Sequence, residues 1–328
     1  MILSKARITA IGAYVPEKRL TNDDLEKLVE TNDEWIVKRT GIKARRIATE
    51  DEHTSDIGYK AALNLVERYD KSLEDIDMII ACTMTPDFKT PSVASLVQAK
   101  LGIKQTGSID VNAACSGFAY GLHVANGLIT SGLHKKILVI GAETLSKITD
   151  YEDRSTCILF GDGGGAVLVE YDEEQPSFLS YHLGTEGKKG KNLYCSDLST
   201  RMFEEDLMKS NKFVQNGREV YKWAVTTVPR GMKEVLEKAS MPLSDVNWFI
   251  PHSANLRMIE SICHKSGFPI EKTLYSLVEY GNTSAATIPL SLDMGVREGK
   301  VKNGDILLLY GFGGGLTHAG QLIRWNVG

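Results

Sequence analysis

Leu73-Glu-Asp-Ile-Asp-Met-Ile-Ile80 returns as Leu243-Ser-Asp-Val-Asn-Trp-Phe-Ile250, about 170 positions later, and this recurrence governs the reading of the whole chain. Further on, Ile137-Leu-Val-Ile-Gly141 returns as Ile306-Leu-Leu-Leu-Tyr-Gly311 at a similar spacing. A duplication fixes architecture more firmly than local propensity does. The repeated runs are short and rich in Ile, Val and Leu, which suits strands buried on both faces of a sheet. Helical patterns fall between them at 53–68, 92–101, 116–131, 220–239 and 255–266. Strands alternating with helices predict a layered α/β fold with helices on both sides of each sheet, in two halves, 1–172 and 173–328.

Composition bounds the function. The 328 residues are 42% apolar and 24% charged, which excludes a disordered or fibrous chain. Thirty-eight basic against 42 acidic residues leave −4, with no block of five like charges, so neither nucleic acid nor a membrane surface is an expected partner. Five cysteines (82, 115, 157, 195 and 263) form no C-x-x-C and no zinc spacing; free thiols in a reducing compartment follow. The first twenty residues have no apolar secretion core, so a cytoplasmic location is expected. The uncharged stretch 111–134 is long enough to span a bilayer, but its Asn112, Ser116, His123, Asn126 and glycines read as a strand end followed by a buried helix.

Local signals place a helix after Asn22-Asp23 and another after Thr31-Asn-Asp-Glu34, a capping-box pattern, with Gly41 ending the second. The irregular 173–216 segment reads as loops joining the halves. In Gly107-Ser-Ile-Asp-Val-Asn-Ala-Ala-Cys115-Ser-Gly-Phe a strand turns into a helix with Cys115 at its start. There the macrodipole and unpaired N–H groups would favour a thiolate, below the usual pKa of about 8.5. A lone cysteine is more often inert core, and Cys82, Cys157, Cys195 and Cys263 are assigned to packing or surface.

His252 and Asn282 follow strand-like runs, where open α/β sheets gather reactive side chains. Shifting Cys115-Ser-Gly by about 168 lands on Thr283-Ser-Ala, so pseudo-symmetry would bring Cys115 beside Asn282. Gly161-Asp-Gly-Gly-Gly-Ala166 fits G-x-G-x-x-A, but it reads as a turn between strands 156–160 and 166–171, whereas a dinucleotide loop opens a helix. Gly311-Phe-Gly-Gly-Gly-Leu-Thr317 also sits between strands, as a hairpin or as a source of bare N–H groups for an oxyanion.

Together with Asp33-Glu-Trp-Ile, Arg39-Thr-Gly-Ile, Ala114-Cys-Ser-Gly, Phe160-Gly-Asp-Gly, Pro251-His-Ser-Ala-Asn and Gly281-Asn-Thr-Ser, these motifs resemble the β-ketoacyl-acyl-carrier-protein synthase III family of the thiolase superfamily. The resemblance runs from Ile8 to the final strand. It implies a five-layered αβαβα sandwich of two pseudo-symmetric halves, a homodimer, and no cofactor or metal. It also implies a Cys115–His252–Asn282 triad, with an acyl-CoA primer loaded on Cys115 and condensed with malonyl-acyl-carrier protein, releasing CoA and CO2, to begin fatty acid synthesis. The Cys115 and Gly314 N–H groups would hold the oxyanion. His252 Nε2 and the Asn282 amide would donate to the enolate. Trp35 and Arg154 would sandwich the CoA adenine, with Arg39 near the phosphates and Thr40, Gly217, Tyr221 and Asn255 along the pantetheine tunnel. Lys222 and Arg257 would dock the acidic carrier protein.

Some positions depart from the commonest pattern: Ser253 follows the histidine, Leu316-Thr-His318 replaces an aromatic-Thr-Trp run, and Thr90 stands where some members have a Phe closing the primer pocket across the dimer. A longer or branched primer is expected. Other readings are a triad condensing enzyme using malonyl-CoA, of polyketide type; a papain-like cysteine hydrolase, which shares the Cys-His-Asn order; and a non-catalytic acyl-CoA-binding protein.

Overall fold

A computed structural model describes residues 3–208 and 211–327. The first sheet contains β1 (Ala6–Tyr14), β2 (Met78–Cys82), β3 (Gly107–Val111), β4 (Lys136–Thr144) and β5 (Asp162–Tyr171), in spatial order β1-β5-β4-β2-β3. The second contains β6 (Phe178–Thr185), β7 (Trp248–Pro251), β8 (Ile306–Gly313) and β9 (Thr317–Arg324), in order β7-β8-β9-β6. β2 and β4 run parallel, as do β7 and β8, while β4–β5 and β8–β9 are antiparallel. The sheets repeat one topology. The partner of β3 is reduced in the second sheet to one bridge, Phe249 to Thr273.

The helices are α1 (Asp33–Thr40), α2 (Thr54–Tyr69), α3 (Val93–Lys100), α4 (Gly117–Thr130), α5 (Gly217–Lys238), α6 (Leu256–Ser266) and α7 (Thr287–Arg297). Residues of α2 and α3 share a core with the outer face of the first sheet, and α5 and α6 do so with the outer face of the second. α4 and α7 lie between the sheets, where Phe118, Leu122, Ile288 and Leu292 pack with Val139, Val167, Leu307 and Ile323. The result is the αβαβα sandwich of five layers.

The periodicity-based helices match within a few residues. α7 has no such forecast: its first seven residues are all buried, the polar Thr287, Ser291 and Asp293 among them, so its polar residues do not mark a solvent face. The 173–216 segment is less loop-like than expected, because Phe178–Thr185 adds an antiparallel strand beside β9. The N-cap of α1 is Asn32, not Thr31; its side chain accepts from the Trp35 N–H. Thr21 caps the preceding short helix through a capping box with Asp24.

The Gly161–Gly165 run is also placed differently. Residues 156–159 form turns, Phe160 makes one bridge to Asn282, and Gly163, Gly164 and Gly165 belong to β5 itself. A Cβ at Gly164 would stand 2.7 Å from Ile57, and one at Gly165 2.6 Å from Pro289, so helices press on both faces there. Glycine is required by packing, not by a phosphate.

Gly141 on β4 is held by the same kind of constraint, since its Cβ would stand 2.6 Å from the Ala285 carbonyl oxygen. Gly141→Ala should therefore destabilise the protein by roughly 1–3 kcal/mol, read as a lower midpoint in thermal unfolding; an unchanged midpoint would refute this account of the interface.

Candidate active site

Each central helix is preceded by a 3-10 turn, Ala114–Ser116 before α4 and Ser284–Ala286 before α7. The turns are pseudo-twins. Ala114 and Ser284 have φ of 45° and 48°, an uncommon conformation for non-glycine residues, at an offset of 170 positions. This corrects the offset of about 168: Cys115 is the counterpart of Ala285, not of Thr283. Each turn presses on a glycine of the other half, Ala285 on Gly141 and Cys115–Ser116 on Gly311, where a Cβ would meet Ser116 Cα at 2.7 Å. One position from each sheet thus gives way to the opposite turn.

Cys115, His252 and Asn282 line one cleft of about 600 Å³ together with Phe312 and Gly313. They are 4%, 2% and 6% exposed, at the buried end of a cavity that opens to solvent. A side chain at Gly313 would bring its Cβ to 2.8 Å from the Cys115 sulfur, so only glycine leaves the thiol its space. Trp35, Arg39 and Arg154 line the rim of the same cleft, with the two guanidinium carbons 4.7 and 5.0 Å from the indole ring centroid.

Other forecast residues fall along the same walls. Thr40, Gly217, Tyr221, Asn255 and Arg257 all line the cleft. Thr40 spends its hydroxyl on the Ile36 carbonyl and the Ile42 N–H, and Asn255 caps α6 while donating to the Arg39 carbonyl. Gly314 lines a second cavity of about 1050 Å³ behind the Cys115 turn, bounded by Phe88, Tyr120 and Cys195. Lys222 lies outside the cleft, ion-paired to Glu219 at 2.7 Å. Thr90 is exposed and lines neither cavity.

The electrostatics depart from expectation at the sulfur. Burial pushes the Cys115 thiol up to about 11, although the Ser284 hydroxyl and the Gly314 and Cys115 backbones favour the thiolate. The turn at 114–116 interposes itself before α4, so desolvation outweighs the dipole. Burial thus favours the thiol over the thiolate at Cys115.

The Thr287 hydroxyl, 2.8 Å from Nδ1, and the Ser284 backbone orient His252. The same hydroxyl lies 2.9 Å from the Ser284 carbonyl. Either ring nitrogen of neutral His252 can carry its proton. Burial lowers its pKa to about 3. The Asn282 amide is fixed too. Its Oδ1 accepts from the Ser284 N–H at 2.9 Å, which leaves Nδ2 as the free donor. Its backbone is tied to Leu159 and Gly161 on the turn before β5.

The sequence reading did not single out Thr287, Ser284 or Glu143. Thr287 and Ser284 carried little signal beyond following Asn282. Glu143 was more legible, as an acid inside the strand-like run that follows Ile137, at a strand end.

Residues 109–187 match the family described as 3-Oxoacyl-[acyl-carrier-protein (ACP)] synthase III, and residues 236–325 match its C-terminal region. The chain is 72% identical over 327 residues to the Beta-ketoacyl-[acyl-carrier-protein] synthase III 2 of Halalkalibacterium halodurans, covering 100% of this chain and 98% of that protein. It is 58% identical to the Bacillus subtilis protein of the same name, over 99% of this chain and 100% of that one. The crystal structure of the Thermus thermophilus synthase III superposes with a TM-score of 0.94 at 44% identity, over 98% of this chain and 99% of that one. On sequence, fold and the cleft between its halves, the chain belongs to the β-ketoacyl-acyl-carrier-protein synthase III family.

Proposed function

We infer that the chain is an acyltransferase that begins fatty acid synthesis, loading an acyl group from acyl-CoA onto Cys115 and condensing it with malonyl-acyl-carrier protein. The observation that carries this reading is the convergence of Cys115, His252 and Asn282 at the buried end of a cleft whose rim holds Trp35 with Arg39 and Arg154 near its ring.

Sγ of Cys115 attacks the thioester carbonyl, and the new thioester is close in energy to the old one. The Cys115 and Gly314 N–H groups receive the oxyanion, each such donor being worth about 3–4 kcal/mol. The CoA adenine is held against Trp35 by stacking, with Arg154 and Arg39 supplying cation–π attraction and phosphate charge. CoA departs through the cleft past Thr40, Gly217, Tyr221 and Asn255. Malonyl-carrier protein then enters, with Arg257 and Lys222 facing the acidic carrier. Loss of CO2 leaves an enolate whose oxygen accepts from Asn282 Nδ2. His252 donates to the same oxygen from its Nε2–H. The enolate carbon attacks the acyl group and frees Cys115. Thioester chemistry alone drives each step, so no cofactor or metal is called for.

Related readings receive less support. Carrier protein, and not malonyl-CoA, is favoured by the names of the most similar relatives. A homodimer is favoured by β3, an edge strand paired only to β2, with Ile109 37% and nearby Phe88 57% exposed. Four of the five cysteines are buried free thiols, in keeping with a cytoplasmic location. Among the described residues no helix is long and apolar enough to cross a membrane.

Mixing the protein with acyl-CoA should give one covalent acyl adduct on Cys115 by mass spectrometry, absent in Cys115→Ser. His252→Ala should keep the adduct but lose roughly 100-fold or more in condensation product; loss of the adduct itself would remove the assigned role. With Thr90 in place of a bulky aromatic, isobutyryl-CoA and longer primers should react at least as well as acetyl-CoA, and a strong acetyl preference in kcat/KM would contradict this. In sedimentation, Ile109→Lys should convert a dimer into monomers; a monomeric native protein would exclude the pairing.

A further inference from the structure

One buried cation has no anion bonded to it. Arg45, on the short strand Ala44–Arg46, is fully buried, and its hydrogen-bond partners among the described residues include no carboxylate. Burying an unpaired charge is costly, and an apolar side chain could fill the same volume. An apolar side chain could not donate to two segments at once. Nε and one terminal nitrogen of Arg45 both donate to the Ile158 carbonyl, while the other terminal nitrogen donates to Asn22 Oδ1. The planar fork of a guanidinium suits that task, and burial lowers its pKa only to about 10, so the charge persists at neutral pH.

Each partner leads to a different part of the cleft. Ile158 belongs to the turn 156–159, whose residues Thr156, Ile158 and Leu159 line the cleft. The Asn282 N–H donates to the Leu159 carbonyl at 2.8 Å, and the Gly161 N–H donates to the Asn282 carbonyl at 3.0 Å. The stem of Arg45 packs against both strands of this pairing: a Cβ at Gly161 would meet Arg45 Cβ at 3.2 Å, and one at Gly281 would meet Arg45 Cγ at 2.9 Å. In the other direction, Asn22 is buried, and its Nδ2 donates to Asp33 Oδ1 at 2.7 Å and to the Ile42 carbonyl at 2.9 Å. Asp33 is the first residue of α1, the helix that carries Trp35 and Arg39 to the rim. Asn22 thus joins the buried cation to an acid at the start of that helix.

We propose that Arg45 is a positioning residue for both half-reactions: through Ile158 it sets the Asn282 amide for condensation, and through Asn22 it sets α1 for the adenine end of acyl-CoA. Arg45 lines neither cavity, so it acts on each step through a different partner. The two paths can be cut separately. Asn22→Asp keeps an acceptor for the guanidinium but removes the donors to Asp33 and Ile42. Arg45→Met keeps much of the volume but leaves the Ile158 carbonyl and the Asn22 amide without their donor. In the reaction as assigned, Asn282 donates to the enolate alone, so the rate at which Cys115 is acylated does not sense its displacement.

This assignment rests on the cleft being that of a condensing enzyme, and the half-reactions test it one at a time. Acylation is followed by rapid-quench mass spectrometry of Cys115 with acyl-CoA, and condensation by the product formed from isolated acyl-enzyme and malonyl-carrier protein. Arg45→Met should slow condensation about 30-fold or more, while the maximal acylation rate stays within about threefold of native. Asn22→Asp should raise the acyl-CoA concentration needed for half-maximal acylation about fivefold. It should leave unchanged both condensation and acylation by the acyl thioester of pantetheine, which has no adenine. Condensation within about threefold of native in Arg45→Met, or equal losses in both half-reactions, would overturn the proposal. So would a native dependence on acyl-CoA in Asn22→Asp, or an equal loss with the pantetheine thioester. If Arg45→Met does not fold, Arg45→Lys, which keeps the charge but offers a single point donor, decides by the same split. A native protein that forms no adduct on Cys115 would instead refute the condensing-enzyme reading, and the assignment with it.

Discussion

Two backbone close approaches hold the catalytic arrangement together: Ala285 against Gly141, and the Cys115–Ser116 turn against Gly311. Each sheet gives up a side chain at the point where the opposite half's turn arrives. A sandwich of five layers could be filled with ordinary apolar side chains, but the two turns would then stand apart. Because they meet, the start of α4 and the start of α7 face a common space, and Cys115 and Asn282 from the two halves line one cleft.

The symmetry is broken where the chemistry requires it. Glu143 on β4 corresponds to Gly313 on β8 at the same offset, and Cys115 corresponds to Ala285. The N-terminal half carries an acid on its strand and a thiol on its turn, whereas the C-terminal half has a glycine and a methyl group at the same two places. The glycine at 313 makes room for the Cys115 sulfur. Burial raises the pKa of both ionisable groups.

Rigid supports outside the cleft complete the site. Arg45 is fully buried, donates to the Ile158 carbonyl and to Asn22, and lies against Gly161 and Gly281. The Asn282 backbone is bonded on both sides to residues of that same turn, so the Arg45 guanidinium braces the peptide that aims the Asn282 amide. Thr287 does the same for His252 through its hydroxyl, 2.8 Å from Nδ1. Leaving such buried polar groups unpaired would cost about 1–3 kcal/mol each, and here nearly every one has a defined partner.

The sequence by itself determined the layered fold, the twofold repeat and the identity of the three central residues. Those properties are written in periodicity, in Ile- and Leu-rich runs and in motifs that stay local along the chain. It did not disclose α7, whose polar residues Thr287, Ser291 and Asp293 are buried with the rest, or that Cys115 is the counterpart of Ala285 and not of Thr283. It misjudged the Cys115 thiol because a helix start is visible in sequence while desolvation is not. The contact of Thr287 with His252, the unpartnered hydroxyl of Ser284 and the burial of Glu143 all depend on side chains brought together from distant segments. Only tertiary packing decided them, since a hydrogen bond or a burial cost exists only once both halves have closed on each other.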